Sequence, residues 1–428
     1  MAANRFLSIH YLLLRSSTAG GGLLAGLIQT FVFARILDPE RFSIFILVGT
    51  LGVTLWLFDL GMAKIIFVRL RSWFLAGTDR NSTVPRHATA VVVLYFLLTL
   101  ACTLACLIAS KVYFVASLQH SIEFALFFLF TAVNLVWFVL RNISVAADDF
   151  IFFESLEAGR RIAHIAVMLA MLAGLPLMMF LILANLIWAV LFVWAAMRLT
   201  QRGALTASLA GFGADLRAFL RENRKEVIQS GTYAANEFYI YTFPYFVVPA
   251  AFGLGAPTII FDTAFKVFRG ATVLYSAGCD VAVPRQTHAF NAGDRRSLIL
   301  ATLMAAGLCS LPCMALCLLL AFGSEQFFGI LLGNAATMPP VLSAILIVLL
   351  IANLVQTVSN FLLVHTGFFR VIAKLSLLVS LAMTAGTALA LVLRLDLVGF
   401  LQVYAGAYVL SALLYLLLAI KGPLRRHS

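Results

Sequence analysis

The sequence predicts an all-α polytopic membrane protein with about twelve transmembrane helices in two six-helix lobes. Three observations predict it. Of 428 residues, 63% are hydrophobic and 11% are charged, whereas a soluble domain carries about 25% charged residues. Apolar runs long enough to cross a bilayer recur along the whole chain. The basic residues collect between alternate runs, as in loops beside an anionic leaflet. The net charge of +12 therefore points to a membrane surface and not to nucleic acid.

Taken in order, the expected span cores are 16–37, 42–62, 88–110, 124–145, 158–174, 177–197, 229–253, 256–280, 298–321, 341–365, 370–393 and 397–420. The fifth and sixth share one run broken at Gly174–Pro176, and the eighth is charged. With the N-terminus inside, only Arg35, Arg41, Lys111 and Arg394 fall at outer ends, so both termini are expected to be cytoplasmic. No cleavable signal peptide is expected, since no small-residue cleavage site follows the first apolar run.

The longest break between spans, Arg198 to Ile228, sets Phe212, Leu216, Phe219 and Leu220 on one helical face and Arg217, Arg221 and Arg224 elsewhere. That pattern predicts a helix lying at the inner interface. It divides the chain into an N-lobe at 1–197, a linker helix at 198–228 and a C-lobe at 229–428. A weak repeat supports two lobes. The turn at 31–40 joins the first two spans as the turn at 246–255 joins the seventh and eighth, and the two halves run parallel.

The eighth span is the expected organising element. At about 100° per residue, Thr258, Asp262, Lys266, Arg269, Ser276 and Asp280 fall within about 40° of one line along it. Ile260, Val267, Phe268, Ala271, Leu274 and Tyr275 occupy the opposite face, which is expected to meet lipid. A charge in hydrocarbon costs about 2.5–3.5 kcal/mol on the mildest scale. The stripe therefore requires a protein interior or a water-filled cavity. A surface helix or an internal salt-bridge ladder is the blander alternative. The six cysteines lie in apolar spans without His or carboxylate neighbours, so buried apolar packing is expected, with neither disulfides nor metal.

Ala34-Arg35-Ile36-Leu37-Asp38-Pro39-Glu40-Arg41-Phe42-Ser43-Ile44-Phe45, followed by Asp59-Leu60-Gly61-Met62, resembles the N-terminal signature of Wzx-type oligosaccharide flippases. These belong to the multidrug/oligosaccharidyl-lipid/polysaccharide exporter superfamily, whose lobed architecture is MATE-like. Asp38 stands where the family's Arg-X-Leu-Gly-Pro-Glu pattern has Gly, and Phe42-Ser43 replaces Phe-Gly. Further matches are 283–296, Val-Pro-Arg-Gln-Thr-His-Ala-Phe-Asn-Ala-Gly-Asp-Arg-Arg, and 328–336, Phe-Gly-Ile-Leu-Leu-Gly-Asn-Ala-Ala. The resemblance implies transport of a lipid-linked saccharide in a bacterial inner membrane, with membrane lipid and polysaccharide polymerase or assembly proteins as further partners. It implies no resident cofactor.

In that reading Lys266 and Arg269 are counter-charges for a diphosphate in a cavity between lobes. H⁺ or Na⁺ coupling would run through Glu237 or Asp262. Span seven adds Asn236, Glu237 and Tyr239. Glu237 and Arg269 sit about 12 and 16 Å from the inner ends of their helices, close enough to pair. Span ten sets Asn353, Gln356 and Asn360 on one stripe, either lining the cavity or bonding between helices. Arg160 and Arg161 belong to the charged stretch 148–164, read either as a solvated helix start or as a cytoplasmic vestibule with these two residues on the substrate path, and Glu157 lies four residues before Arg161 in pairing register. Arg35 and Asp59 are expected to fix loop geometry. A cation or drug antiporter of the same superfamily is the nearest alternative, and it would prefer an acidic, aromatic cavity. A membrane polysaccharide polymerase or glycosyltransferase is more distant. The former needs a large outer loop, and the latter an Asp-X-Asp motif that Asp148-Asp149 does not supply.

Overall fold

The computed structural model describes residues 20–76, 83–113, 117–208 and 210–424, without the side chains of 113, 229–230, 232–237 and 369–370. Among these residues every regular element is helical. The helices are α1 Gly20–Ile36, α2 Pro39–Thr54, α3 Met62–Leu75, α4 Val84–Tyr113, α5 Leu118–Ala132, α6 Asn134–Ala146, α7 Phe150–Ala170, α8 Leu177–Gln201 and α9 Phe212–Glu222. They continue as α10 Arg224–Tyr241, α11 Phe243–Phe252, α12 Ala256–Asn291, α13 Arg295–Phe322, α14 Ser324–Leu332, α15 Pro340–His365, α16 Phe369–Val392 and α17 Leu397–Lys421.

Among the described residues eight helical segments are long and apolar enough to cross a bilayer, with α1 and Phe238–Phe252 as shorter apolar helices. The remaining two expected spans coincide with α7 and α12, whose charges interrupt their hydropathy. The chain is thus a multi-pass membrane protein. The seventh expected span is broken at Thr242, where Pro244 opens α11; proline lacks the N–H that a continuous helix needs there. The 36 residues of α12 extend about 54 Å, well beyond a hydrocarbon core of about 30 Å.

The signature residues build helix ends. Asp38 Oδ1 accepts from Arg41 N at 2.8 Å, which caps α2, and Pro39 and Glu40 then occupy the first turn. Asp59 Oδ1 accepts from Ala63 N at 2.9 Å and from the Tyr95 hydroxyl at 2.8 Å. It thereby fixes the left-handed Leu60-Gly61 turn, with φ of 46° and 76°. Arg35 donates to the Ile330 carbonyl at 2.7 Å, satisfying the C-terminal end of α14. Both residues hold loop geometry, as their positions suggest.

The chain forms two compact units. Among the described residues one comprises 44–208 and 210–234, and the other 20–43 with 235–424. This differs from the expected division in two respects. The boundary falls inside α10, because α9 packs onto the first unit. Phe219 of α9 is fully buried against the His87 ring, and Glu222 pairs with Arg69 at 2.6 Å. Leu220, on the same expected apolar face, stays 37% exposed. Second, α1 belongs with the second unit. Leu23 presses on Gly270, and Ser43, in the chain after α1, accepts from Gly255 N at 3.0 Å. That last bond ties the start of α2 to the second of the two repeat turns.

Close packing in the first unit rests on glycine at one point. A Cβ on Gly52 would collide with Thr131 Oγ1 and the Phe128 carbonyl of α5. Gly52→Ala is expected to cost about 1–3 kcal/mol through overpacking. A lowered unfolding midpoint in detergent checks this, with Gly26→Ala, which meets nothing within 4 Å, as the unperturbed control.

Candidate functional site

In the second unit α12 packs against α11, α13 and α15. Contrary to the expectation that its apolar face meets lipid, Ile260, Val267, Phe268, Ala271 and Tyr275 are buried, with Leu274 half-buried. The physical reason is the supply of apolar partners. Phe268 meets Tyr408 edge-on at 5.1 Å, and Tyr275 reaches the Leu350 carbonyl at 3.4 Å. The polar line is the more open one. Lys266, Arg269 and Ser276 are half-buried and Asp280 is exposed, while Thr258 and Asp262 are enclosed.

A cluster forms around the buried end of this line. Lys266 Nζ lies 2.7 Å from Asp262 Oδ2, one turn away on the same helix face. Lys266 Nζ also donates to Thr30 Oγ1 of α1 at 2.9 Å. The Tyr245 hydroxyl of α11 donates to Asp262 Oδ1 at 3.1 Å, and Arg269 approaches the same hydroxyl. Tyr245 is enclosed by Phe261 and Phe265. Asp262 pairs with Lys266, so within this cluster of described side chains Arg269 is the cation that Asp262 does not hold. Thr30 and Tyr245 were not singled out from the sequence, because neither shares a periodic stripe with the charges they contact.

The other expected residues separate into distinct surroundings. The side chains of Asn236 and Glu237 lie outside the described residues, and with them the expected Glu237–Arg269 pair. Tyr239 sits in an aromatic group with Phe238 and Phe243. Asn353 is fully buried. Its Nδ2 donates to Thr272 Oγ1 at 2.7 Å and the Phe268 carbonyl at 3.3 Å. Its Oδ1 accepts from Thr357 and Tyr408 at 3.1 and 3.3 Å. All four positions of the amide are occupied. Asn353 therefore ties α12, α15 and α17 together, the interhelical one of the two roles expected of it, and its amide has no position left over for a ligand. Gln356 accepts from Ser411 at 3.2 Å. Asn360 keeps a buried Oδ1 without a partner.

In the first unit, α7 carries a closed ionic network. Glu157 pairs with Arg160 at 2.6 Å and Arg161 at 2.7 Å and accepts from Trp137 Nε1 at 2.8 Å. The Arg160 guanidinium stacks on the Trp188 ring, 4.1 Å from its centroid. Arg160 can only donate, so His164 Nδ1, 3.3 Å away, is the acceptor, and Nε2–H donates to the Ala184 carbonyl at 3.2 Å. Arg160, expected at a vestibule, is 7% exposed and fully engaged within the unit, because a buried guanidinium needs a counter-charge and acceptors. Arg161 is more open. At the start of α7, burial raises the Asp149 carboxyl, but Arg198 and Arg202 outweigh that and hold it below its ordinary value.

No protein-family model and no curated protein matches the sequence. Solved structures do match. An outward-facing multidrug resistance MATE family transporter of the MOP superfamily aligns with a TM-score of 0.64 and 16% identity, over 98% of this chain and 96% of that one. An inward-facing MATE family transporter aligns at 0.63 and 14%, over 96% and 98%. A MOP superfamily transporter from Pyrococcus furiosus, described as having a binding pocket of reverse polarity that suggests a different function, aligns at 0.65 and 14%, over 97% and 95%. The chain therefore has a MATE-like fold. At this identity the likeness is one of fold.

Proposed function

We propose that the chain is a flippase that carries polyprenyl-diphosphate-linked oligosaccharide across a bacterial inner membrane for polysaccharide or lipopolysaccharide synthesis. The observation that carries this reading is the half-buried Lys266 and Arg269 beside one another on α12, with Asp262 as the acid next to them on that stretch of the stripe. A diphosphate is a multiply charged anion that cannot enter hydrocarbon unaided, and a guanidinium fork binds it in two places. The prenyl tail stays in lipid while the headgroup is exposed to each side in turn. The outward- and inward-facing structures of similar fold are consistent with that alternation. Both termini are cytoplasmic in this reading. H⁺ or Na⁺ coupling runs through Asp262 or Glu237, and polysaccharide polymerase or assembly proteins receive the product.

A second reading is favoured by a specific observation. Asp262 lies among Tyr245, Phe261 and Phe265, an acidic and aromatic setting that suits an organic cation if Lys266 withdraws. Proteoliposomes separate the two. Expected is translocation of a fluorescent polyprenyl-diphosphate oligosaccharide to the far leaflet, read by its protection from an added glycosidase, with no organic-cation uptake under an imposed pH or Na⁺ gradient. Gradient-driven cation uptake without saccharide translocation identifies the antiporter.

A further inference from the structure

The hairpin of α12 and α13 is the most extensive helix–helix contact in the molecule, and it contains two thiols that face each other. Cys279 and Cys309 are both buried, with their sulfurs 3.7 Å apart. Gly278 permits the approach, since a Cβ there would stand 3.0 Å from Cys309 Sγ. The Cys309 thiol donates to the Tyr275 carbonyl at 3.2 Å, which turns its sulfur lone pairs away from that carbonyl and leaves them free to meet Cys279. A disulfide has an S–S bond of about 2.05 Å, so closure needs about 1.7 Å of travel. The remaining cysteines are placed differently. Cys313 and Cys317 follow Cys309 at successive turns of α13, and Cys102 and Cys106 share one face of α4.

We propose that Cys279 and Cys309 are a modification site, a dithiol that a membrane-permeant two-electron oxidant closes to a disulfide, joining α12 to α13. With an azo oxidant such as diamide, one sulfur adds to an azo nitrogen and its proton passes to the other nitrogen. The second sulfur then attacks the first, the S–N bond breaks with its electron pair on nitrogen, and the second thiol proton completes the hydrazine. Two thiols are oxidised and one azo group is reduced. The covalent tie lies about 15–20 Å along α12 from Arg269 and Lys266, so oxidation fixes the half of α12 opposite the ionic cluster to its neighbour.

The folded protein in detergent is treated with diamide, quenched, denatured and alkylated with N-ethylmaleimide. Adduct number is expected to fall from the six of the untreated chain to four, with a loss of about 2 Da from the protein itself. Peptide mapping is expected to join the segments containing Cys279 and Cys309, and dithiothreitol to restore six adducts. Cys279→Ser and Cys309→Ser should each retain every remaining thiol after the same treatment. Six adducts after treatment, or a bridge formed by any other pair, overturns the proposal. Since the decisive reading is on the unsubstituted chain, a variant that fails to fold leaves the test intact.

Discussion

Glu157→Gln is expected to lower the stability of the first unit by about 3–5 kcal/mol, the cost of leaving a buried cation without its counter-charge. Glu157 accepts from Trp137, Arg160 and Arg161 at once. A glutamine keeps the shape but loses the charge, and its NH₂ would point at guanidinium donors. Arg160 cannot lose its proton and cannot turn to water, since it is 7% exposed and stacked on Trp188. Thermal unfolding in detergent should show the loss. Combining Glu157→Gln with Arg160→Met is expected to recover most of it, because replacing a buried pair by an apolar side chain of similar volume is often near neutral. A single variant that melts with the unsubstituted protein would mean that water reaches the network.

Arg269→Ala is expected to reduce saccharide translocation at least a hundredfold, about 2.8 kcal/mol of lost stabilisation at about 1.4 kcal/mol per factor of ten, while the protein still inserts and folds. Arg269 is the cation beside Lys266 that Asp262 does not hold. Lys266→Ala should fall less steeply in transport and more in stability, because it leaves Asp262 buried with only Tyr245 for company. Arg269→Lys should retain part of the activity, since a point charge replaces a planar fork. Initial rates in proteoliposomes, normalised to inserted protein, check all three. Undiminished translocation by Arg269→Ala would remove the anion from this position.

Much of the fold was legible because hydrocarbon tolerates so few sequences. Twelve apolar runs each coincide with a helix or a broken pair of helices. The amphipathic pattern around Phe219 found α9. The membership of α1 in the second unit was not legible, since it depends on long-range contacts such as Thr30 with Lys266, and periodicity carries no information about which span lies beside which. The ionic stripe on α12 was visible from spacing alone. What covers its apolar face was not, because such a face looks the same whether lipid or another helix lies against it. Asn353 illustrates the same limit. Its spacing revealed a polar stripe, but only the positions of Thr272, Thr357 and Tyr408 distinguish an interhelical tie from a ligand contact.

The most direct measurement is equilibrium binding of a polyprenyl-diphosphate oligosaccharide to the protein in nanodiscs, titrated against an organic cation and repeated with Arg269→Ala. Saturable binding that inorganic diphosphate competes away, that ethidium leaves unchanged and that Arg269→Ala weakens at least tenfold is the expected result. Displacement by ethidium, with equal saccharide binding by Arg269→Ala, would contradict an anion site on α12.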